Sequence, residues 1–158
     1  MGRKRRDVEI SEEPNDLSAR NLFTLTFALA LGAYLFTLAP GLAPGDAGEI
    51  IGAIHSGGTI HPPGYPLFAI LGRIALWLPF GGAGWRINFL SGLFNAAAAG
   101  VIALLVHRIG RQAWAGFLAG GLFAFSPLVW KYAVVAEVFG LNNFFVALAL
   151  YAAASFEL

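Results

Sequence analysis

The sequence predicts an all-α fold: a polytopic membrane helix bundle of about four transmembrane helices with interfacial helices on its outer face. Three observations lead there. The chain is 58% hydrophobic and only 12% charged, with mean hydropathy +0.69, whereas a soluble domain carries about 25% charged residues. Apolar runs of bilayer-crossing length recur along it. Its long glycine- and proline-rich stretch, 40–66, carries Asp46 and Glu49, the first acidic residues after the N-terminal region. With no cysteine present, disulfides, cysteine zinc sites and thiol nucleophiles are excluded.

Residues 1–19 read as a flexible cytoplasmic tail. The cluster Arg3-Lys4-Arg5-Arg6 leads into a polar, acidic run through Asp16 rather than an apolar core, so a signal peptide does not fit. A basic cluster beside a span marks the cytoplasmic side, and no nucleic-acid partner is expected. The first span is expected over 21–39. A run of about 20 apolar residues crosses the hydrocarbon core, and Pro40-Gly41 stops it.

The loop 40–86 is too broken to span, because irregular backbone in lipid leaves amides unpaired. Within it, Asp46-Ala47-Gly48-Glu49 reads as a helix start, and 47–56 as a short helix with Ile50, Ile51 and Ile54 on one side. Residues 66–80 are apolar around Arg73. A mid-membrane charge costs at least about 2.5–3.5 kcal/mol, so this helix is expected in the outer interface, with Arg73 snorkelling and Trp77 and Phe80 at headgroup depth.

Further spans are expected over 87–106, 112–126 and 139–156. The first carries a small-residue face, Gly92, Ala96 to Ala99 and Gly100, suited to close helix packing, and ends in His107-Arg108-Ile109-Gly110-Arg111. The second, with Gly116, Gly120 and Gly121, ends at Ser126-Pro127, an N-cap and first helical position. The last helix then runs from about Leu128 to Ser155, its spanning part beginning near Gly140. Seven of the ten Lys and Arg residues fall inside if 66–80 is interfacial: Arg3, Lys4, Arg5, Arg6, Arg20, Arg108 and Arg111. Were 66–80 a span, Arg108 and Arg111 would lie outside, against the positive-inside rule. No internal repeat supports an inverted-repeat transporter.

This topology puts Asp46, Glu49 and Glu137 on the outer face with His61, Arg73, Arg86 and Lys131. Such a set suits a reaction on a lipid-linked anionic substrate. One carboxylate accepts the proton of an attacking hydroxyl, and cations hold the phosphate of the leaving group. Plainer roles stand beside these. Asp46 and Glu49 have the spacing of a capping box, and Glu137, in the apolar run Tyr132 to Leu141, needs a function or an ion pair with Arg86 or Arg73. His55 and His61 with Asp46 and Glu49 match no metal-ligand spacing, so no cofactor is expected and a divalent metal is unsupported. The run Pro62-Pro63-Gly64-Tyr65-Pro66 makes a stiff turn, in which Tyr65 is a candidate substrate contact. Asn142 and Asn143 suit interhelical hydrogen bonds, with Asn142 also a candidate substrate contact.

Leu42-Ala43-Pro44-Gly45-Asp46-Ala47-Gly48-Glu49, His61-Pro62-Pro63-Gly64-Tyr65-Pro66-Leu67-Phe68, Arg86-Ile87-Asn88-Phe89-Leu90-Ser91, and Ser126-Pro127 with Ala136-Glu137-Val138-Phe139-Gly140-Leu141-Asn142 stand in this order along the chain. The series resembles an integral membrane family catalogued as a domain of unknown function, whose animal members are endoplasmic-reticulum protein O-mannosyltransferases of the GT-C class. The resemblance covers about residues 20–158. It implies a GT-C-like fold and a polyprenyl- or dolichyl-phosphate sugar donor, with mannose the expected sugar and a protein or other hydroxyl acceptor. It also implies an essential acidic residue in the first outer loop, Asp46 or Glu49, and it aligns Glu137 with the acidic position at the entrance of the fourth span. GT-C enzymes have many more spans, so the chain is expected to be the N-terminal part of an enzyme, completed by remaining helices or a partner subunit. The alternatives are a lipid-linked-sugar transporter and a non-catalytic membrane assembly subunit.

Overall fold

The computed structural model describes residues 16–157; the expected tail up to residue 15 lies outside the described residues. These form seven helices and, among the described residues, no strand: α1 (Asp16–Thr37), α2 (Ala47–Ser56), α3 (Pro66–Ala75), α4 (Ala83–Gly110), α5 (Ala113–Ala124), α6 (Pro127–Ala133) and α7 (Phe139–Glu157). The stretches Ala19–Thr37, Ala83–Gly110 and Phe139–Phe156 are each long and apolar enough to cross a membrane. The pair α5 and α6, bent by 65°, makes a fourth when counted as one broken span. Apolar helices of this length are the mark of an integral membrane protein.

The small-residue face of α4 becomes the centre of the bundle. Ala96, Ala98, Ala99 and Gly100 are buried, and α1, α5 and α7 all pack on this helix. Phe23 of α1 lies so close to Gly100 that a methyl there would meet its ring at 2.7 Å. Tyr34, about three turns further along α1, lies against Gly92, so α1 runs antiparallel to α4. Helix α5 returns antiparallel as well: a methyl on Gly120 would sit 2.6 Å from the Ala99 carbonyl oxygen. Helix α7 runs parallel to α4, from Asn143 beside Asn95 to Tyr151 beside Arg108. The loops after α1 and α6 therefore gather at one end of the bundle, and Arg20, Arg108 and Arg111 at the other.

Several boundaries differ from the expected ones, each for a local reason. Residues 16–19, expected in the tail, are helical and begin α1. The interfacial helix expected over 66–80 stops at Ala75, because Arg86 donates to the Leu76 carbonyl at 2.6 Å and the Phe80 carbonyl at 3.0 Å. At ten residues, α3 is about 15 Å long, half a hydrocarbon core. The α4 span extends to 83–110 rather than 87–106, and the 112–126 span is a twelve-residue α5 followed by a bend. The helix expected from Leu128 to Ser155 is broken at 134–138. Glu137 sits in that break, outside the long helices.

Candidate active site

Two loops carry Asp46 and Glu137, with Glu49 in the first turn of α2, and α4 holds both loops. Asn88 Nδ2 donates to the carbonyls of Ala39 (2.8 Å) and Gly41 (2.9 Å) in the loop leading to Asp46. Less than one turn further along α4, Ser91 Oγ donates to the Glu137 carbonyl and accepts the Glu137 N–H, both at 2.9 Å. The loops are also joined directly, the Ala39 N–H donating to the Val134 carbonyl at 3.0 Å. The helix break at 134–138 is thereby satisfied from outside, as buried backbone must be. Asp46, distant in sequence, is brought close enough for its charge to act on Glu137.

The capping box expected of Asp46 and Glu49 does not form. Asp46 precedes α2 with helical dihedrals (φ −72°, ψ −15°) and makes no side-chain cap, leaving an exposed carboxylate. Glu49 reaches the other way. Its Oε1 accepts the His61 backbone N–H at 2.7 Å, and its Oε2 lies 3.0 Å from His61 Nδ1. The backbone bond first, and the ring bond second, hold the Glu49 carboxyl below the usual glutamate range. Glu49 thus fastens the loop 57–65 to α2. The expected short helix itself forms over 47–56, burying Ile50, Ile51 and Ile54.

Glu137 has the opposite surroundings. It is only 8% exposed and forms no ion pair with Arg86 or Arg73 among the described residues. Burial pushes its carboxyl above the usual glutamate range, and the Asp46 charge adds to the rise, while His61 and Lys131 pull it down. Carboxyls whose surroundings separate their proton affinities are a recurring feature of acid–base sites.

The cations are placed unequally. Lys131 is exposed, its Nζ 5.1 Å from the Tyr132 ring centre, and it acts electrostatically on Glu137. Arg73 lies at the C-terminal end of α2, where a methyl on Gly57 would be 3.5 Å from its Nη2, a position the helix dipole favours for a cation. Arg86 spends its Nε and one terminal nitrogen on the turn after α3. His61, half-buried, meets the Tyr65 ring edge-on at 5.7 Å. Tyr65 adopts φ 41°, ψ 57°, a left-handed conformation uncommon for a non-glycine residue. Among the described residues no group of three His, Cys, Asp or Glu side chains is arranged to hold a metal ion.

A groove of about 500 Å³ opens beside this cluster, between the start of α3 and the start of α7. Tyr65, Pro66, Leu67 and Phe68 form one wall; Val138, Phe139, Leu141, Asn142 and Phe145 form the other. The lining is apolar except at Tyr65 and Asn142, and Glu137 immediately precedes the second wall. Asn143, not Asn142, makes the interhelical bond, donating to Asn95 Oδ1 at 3.0 Å.

Asn88 and Ser91 enter the reading of the sequence only within the motif Arg86 to Ser91, and Asn95 not at all. All three are fully buried. Their signal was available, since polar residues three and four apart in an apolar span share one helix face, and such residues in membrane spans are seldom idle.

A family model described as "Protein O-mannosyl-transferase TMEM260 N-terminal domain" matches residues 46–158. The chain is 44% identical over 132 residues to the protein O-mannosyl-transferase TMEM260 of Mus musculus, covering 83% of this chain and 19% of the mouse protein. It is 40% identical over 121 residues to the Dictyostelium discoideum protein of the same description, covering 75% of this chain and 15% of that one. The chain therefore spans less than a fifth of the length of these curated relatives. No solved structure matches it.

Proposed function

Since the chain belongs to the family of the TMEM260 N-terminal domain, we propose that it is the donor-side part of a membrane mannosyltransferase of the GT-C class. It would move mannose from a polyprenyl phosphate to a hydroxyl on a protein, at the outer or lumenal face. The observation carrying this reading is that α4 holds the Asp46 loop through Asn88 and the Glu137 backbone through Ser91, beside an apolar groove open along α3 and α7. The polar end of that arrangement suits a sugar phosphate, and the groove suits the first isoprene units of its lipid. Sequence relatives named as O-mannosyl-transferases support the reaction class.

In this mechanism the acceptor oxygen attacks the anomeric carbon, the bond from that carbon to the phosphate oxygen breaks, and configuration inverts. The electron pair leaves with the phosphate, and the acceptor proton passes to a carboxylate. Asp46 fills that role better than Glu49. Asp46 is exposed and makes no cap, whereas both Glu49 oxygens are engaged by His61. Glu137, whose proton affinity is raised, is placed to hold a proton toward a sugar oxygen. Lys131 and His61, which both act electrostatically on Glu137, would face the phosphate, while Arg86 is tied to the α3–α4 turn.

The test is transfer of radiolabelled mannose from polyprenyl-phosphate mannose to membrane protein by the intact protein. Asp46→Asn is expected to lower the rate by about 10²–10⁴-fold, the usual worth of a positioned general base, with Glu49→Gln less affected. Transfer at the wild-type rate in both Asp46→Asn and Glu49→Gln would remove the mechanism. Movement of the labelled lipid without a glycosylated product would identify a transporter, and indifference to substitution of all three carboxylates would identify an assembly subunit.

A further inference from the structure

We propose that Ser91 is a positioning residue for Glu137, acting through the backbone of the residue it holds. This rests on the reading of Glu137 as part of the active site. Residue 137 lies in a non-helical break, so no helix supplies partners for its N–H and C=O. Both are taken by one hydroxyl, Ser91 Oγ, at 2.9 Å each, in a buried setting. A side chain that bonds both backbone groups of one residue fixes where its Cα sits, and hence where its carboxyl begins.

The surrounding packing removes the slack. Gly140, three residues beyond Glu137, lets the start of α7 lie on the Ser91 backbone, and a methyl there would come within 2.6 Å of the Ser91 carbonyl oxygen. Asn95 Nδ2 donates to that same carbonyl at 3.0 Å and ties α7 through Asn143. At the other end of the break, Val134 is bonded to Ala39. The segment 134–137 is therefore gripped at both ends, and Ser91 is the grip nearest the carboxyl. Without it, the turn has no buried partner at residue 137, and the Glu137 carboxyl is free to drift toward solvent and away from Asp46.

Beyond the stability that two buried hydrogen bonds contribute, the loss falls on the chemistry. Transfer depends on placing reacting groups to within about an ångström, and a misplacement of that size costs about 10²-fold. Ser91→Ala in the intact protein is expected to lower kcat by about 10–100-fold while the KM for polyprenyl-phosphate mannose stays within about twofold. Because the carboxyl would be better solvated and farther from Asp46, the alkaline limb of the pH–rate profile, where Glu137 loses its proton, is expected to move to lower pH. Asn95→Ala, which loosens α4 against α7 without touching residue 137, is expected to leave that limb in place. Ser91→Cys, close in size but a weak hydrogen-bonding group, should fall between alanine and wild type, and it supplies the readout if Ser91→Ala does not accumulate.

The outcomes separate. Full transfer by Glu137→Ala would overturn the reading of the site itself. Impaired Glu137→Ala, together with a Ser91 variant of unchanged kcat or with an unmoved pH limb, would overturn the role of Ser91 alone. An equal limb shift in Asn95→Ala would reduce Ser91 to general packing and overturn it likewise.

Discussion

Asn88 offers the sharpest test of how the candidate site is assembled. It is fully buried, and its Nδ2 supplies two donors to carbonyls at 2.8 and 2.9 Å in the loop between α1 and Asp46. Asn88→Ala removes both bonds. At about 1 kcal/mol net for each, the loss is about 2 kcal/mol, and two uncovered carbonyls in a buried place add about 1–2 kcal/mol more. The Asn88 Oδ1, without a partner among the described residues, disappears with the side chain and offsets part of that addition. The expected destabilisation is therefore about 2–3 kcal/mol. Asn88→Asp should be worse than alanine, since an ionised carboxylate has no donors and faces two carbonyl oxygens. The assay is equilibrium unfolding in mixed detergent micelles at fixed pH, with wild type, alanine and aspartate compared side by side. An alanine variant within about 0.5 kcal/mol of wild type, or an aspartate variant more stable than alanine, would refute the idea that α4 carries the loop.

Other consequences follow from the same geometry. Glu137→Gln should raise stability at neutral and alkaline pH. A carboxyl with raised folded-state proton affinity contributes stability at low pH and loses it as pH climbs from the ordinary glutamate value through the raised one, so the advantage of glutamine over wild type should vanish on acidification. Glu49 has the reverse sign. Its lowered proton affinity means that its contribution is present above the ordinary glutamate value and is lost as pH falls through the folded value; the protection of the His61 amide against hydrogen exchange, relative to its intrinsic rate at the same pH, should fall in acid and in Glu49→Gln. Gly120→Ala should destabilise the bundle by about 1–3 kcal/mol, because the new methyl would lie 2.6 Å from the Ala99 carbonyl oxygen; detergent unfolding at the wild-type midpoint would refute it. Tyr34→Phe should cost about 0.5–1.5 kcal/mol through loss of the 2.7 Å bond to the Ala124 carbonyl, measured the same way.

Much of the fold could be read from the chain because its signals are local. Apolar length announces α1, α4 and α7, the Ile50, Ile51 and Ile54 face announces α2, and glycines and alanines announce the face of α4 that others pack on. The break at 134–138 could not be read. Apart from Glu137, its residues Val134 to Val138 are as apolar as a spanning helix would need, and what holds the break is the Ser91 hydroxyl, 46 positions away, together with the Ala39 amide. The end of α3 escaped notice likewise, since Arg86 takes the carbonyls a longer helix would use.

The sequence by itself determined the spanning character of the chain, the placing of Asp46, Glu49 and Glu137 in segments at one end of it, and the family likeness. Composition, run length and charge counting suffice for these, because each depends on residues near one another in the chain. Only the tertiary structure decided what each carboxylate does. Glu49 proved to be engaged by His61, Asp46 proved free of the cap its spacing suggested, and Glu137 was buried and held from α4. A hydrogen bond is directional and short, so which carboxylate it engages depends on atoms brought within 3 Å by packing. No spacing along the chain specifies that.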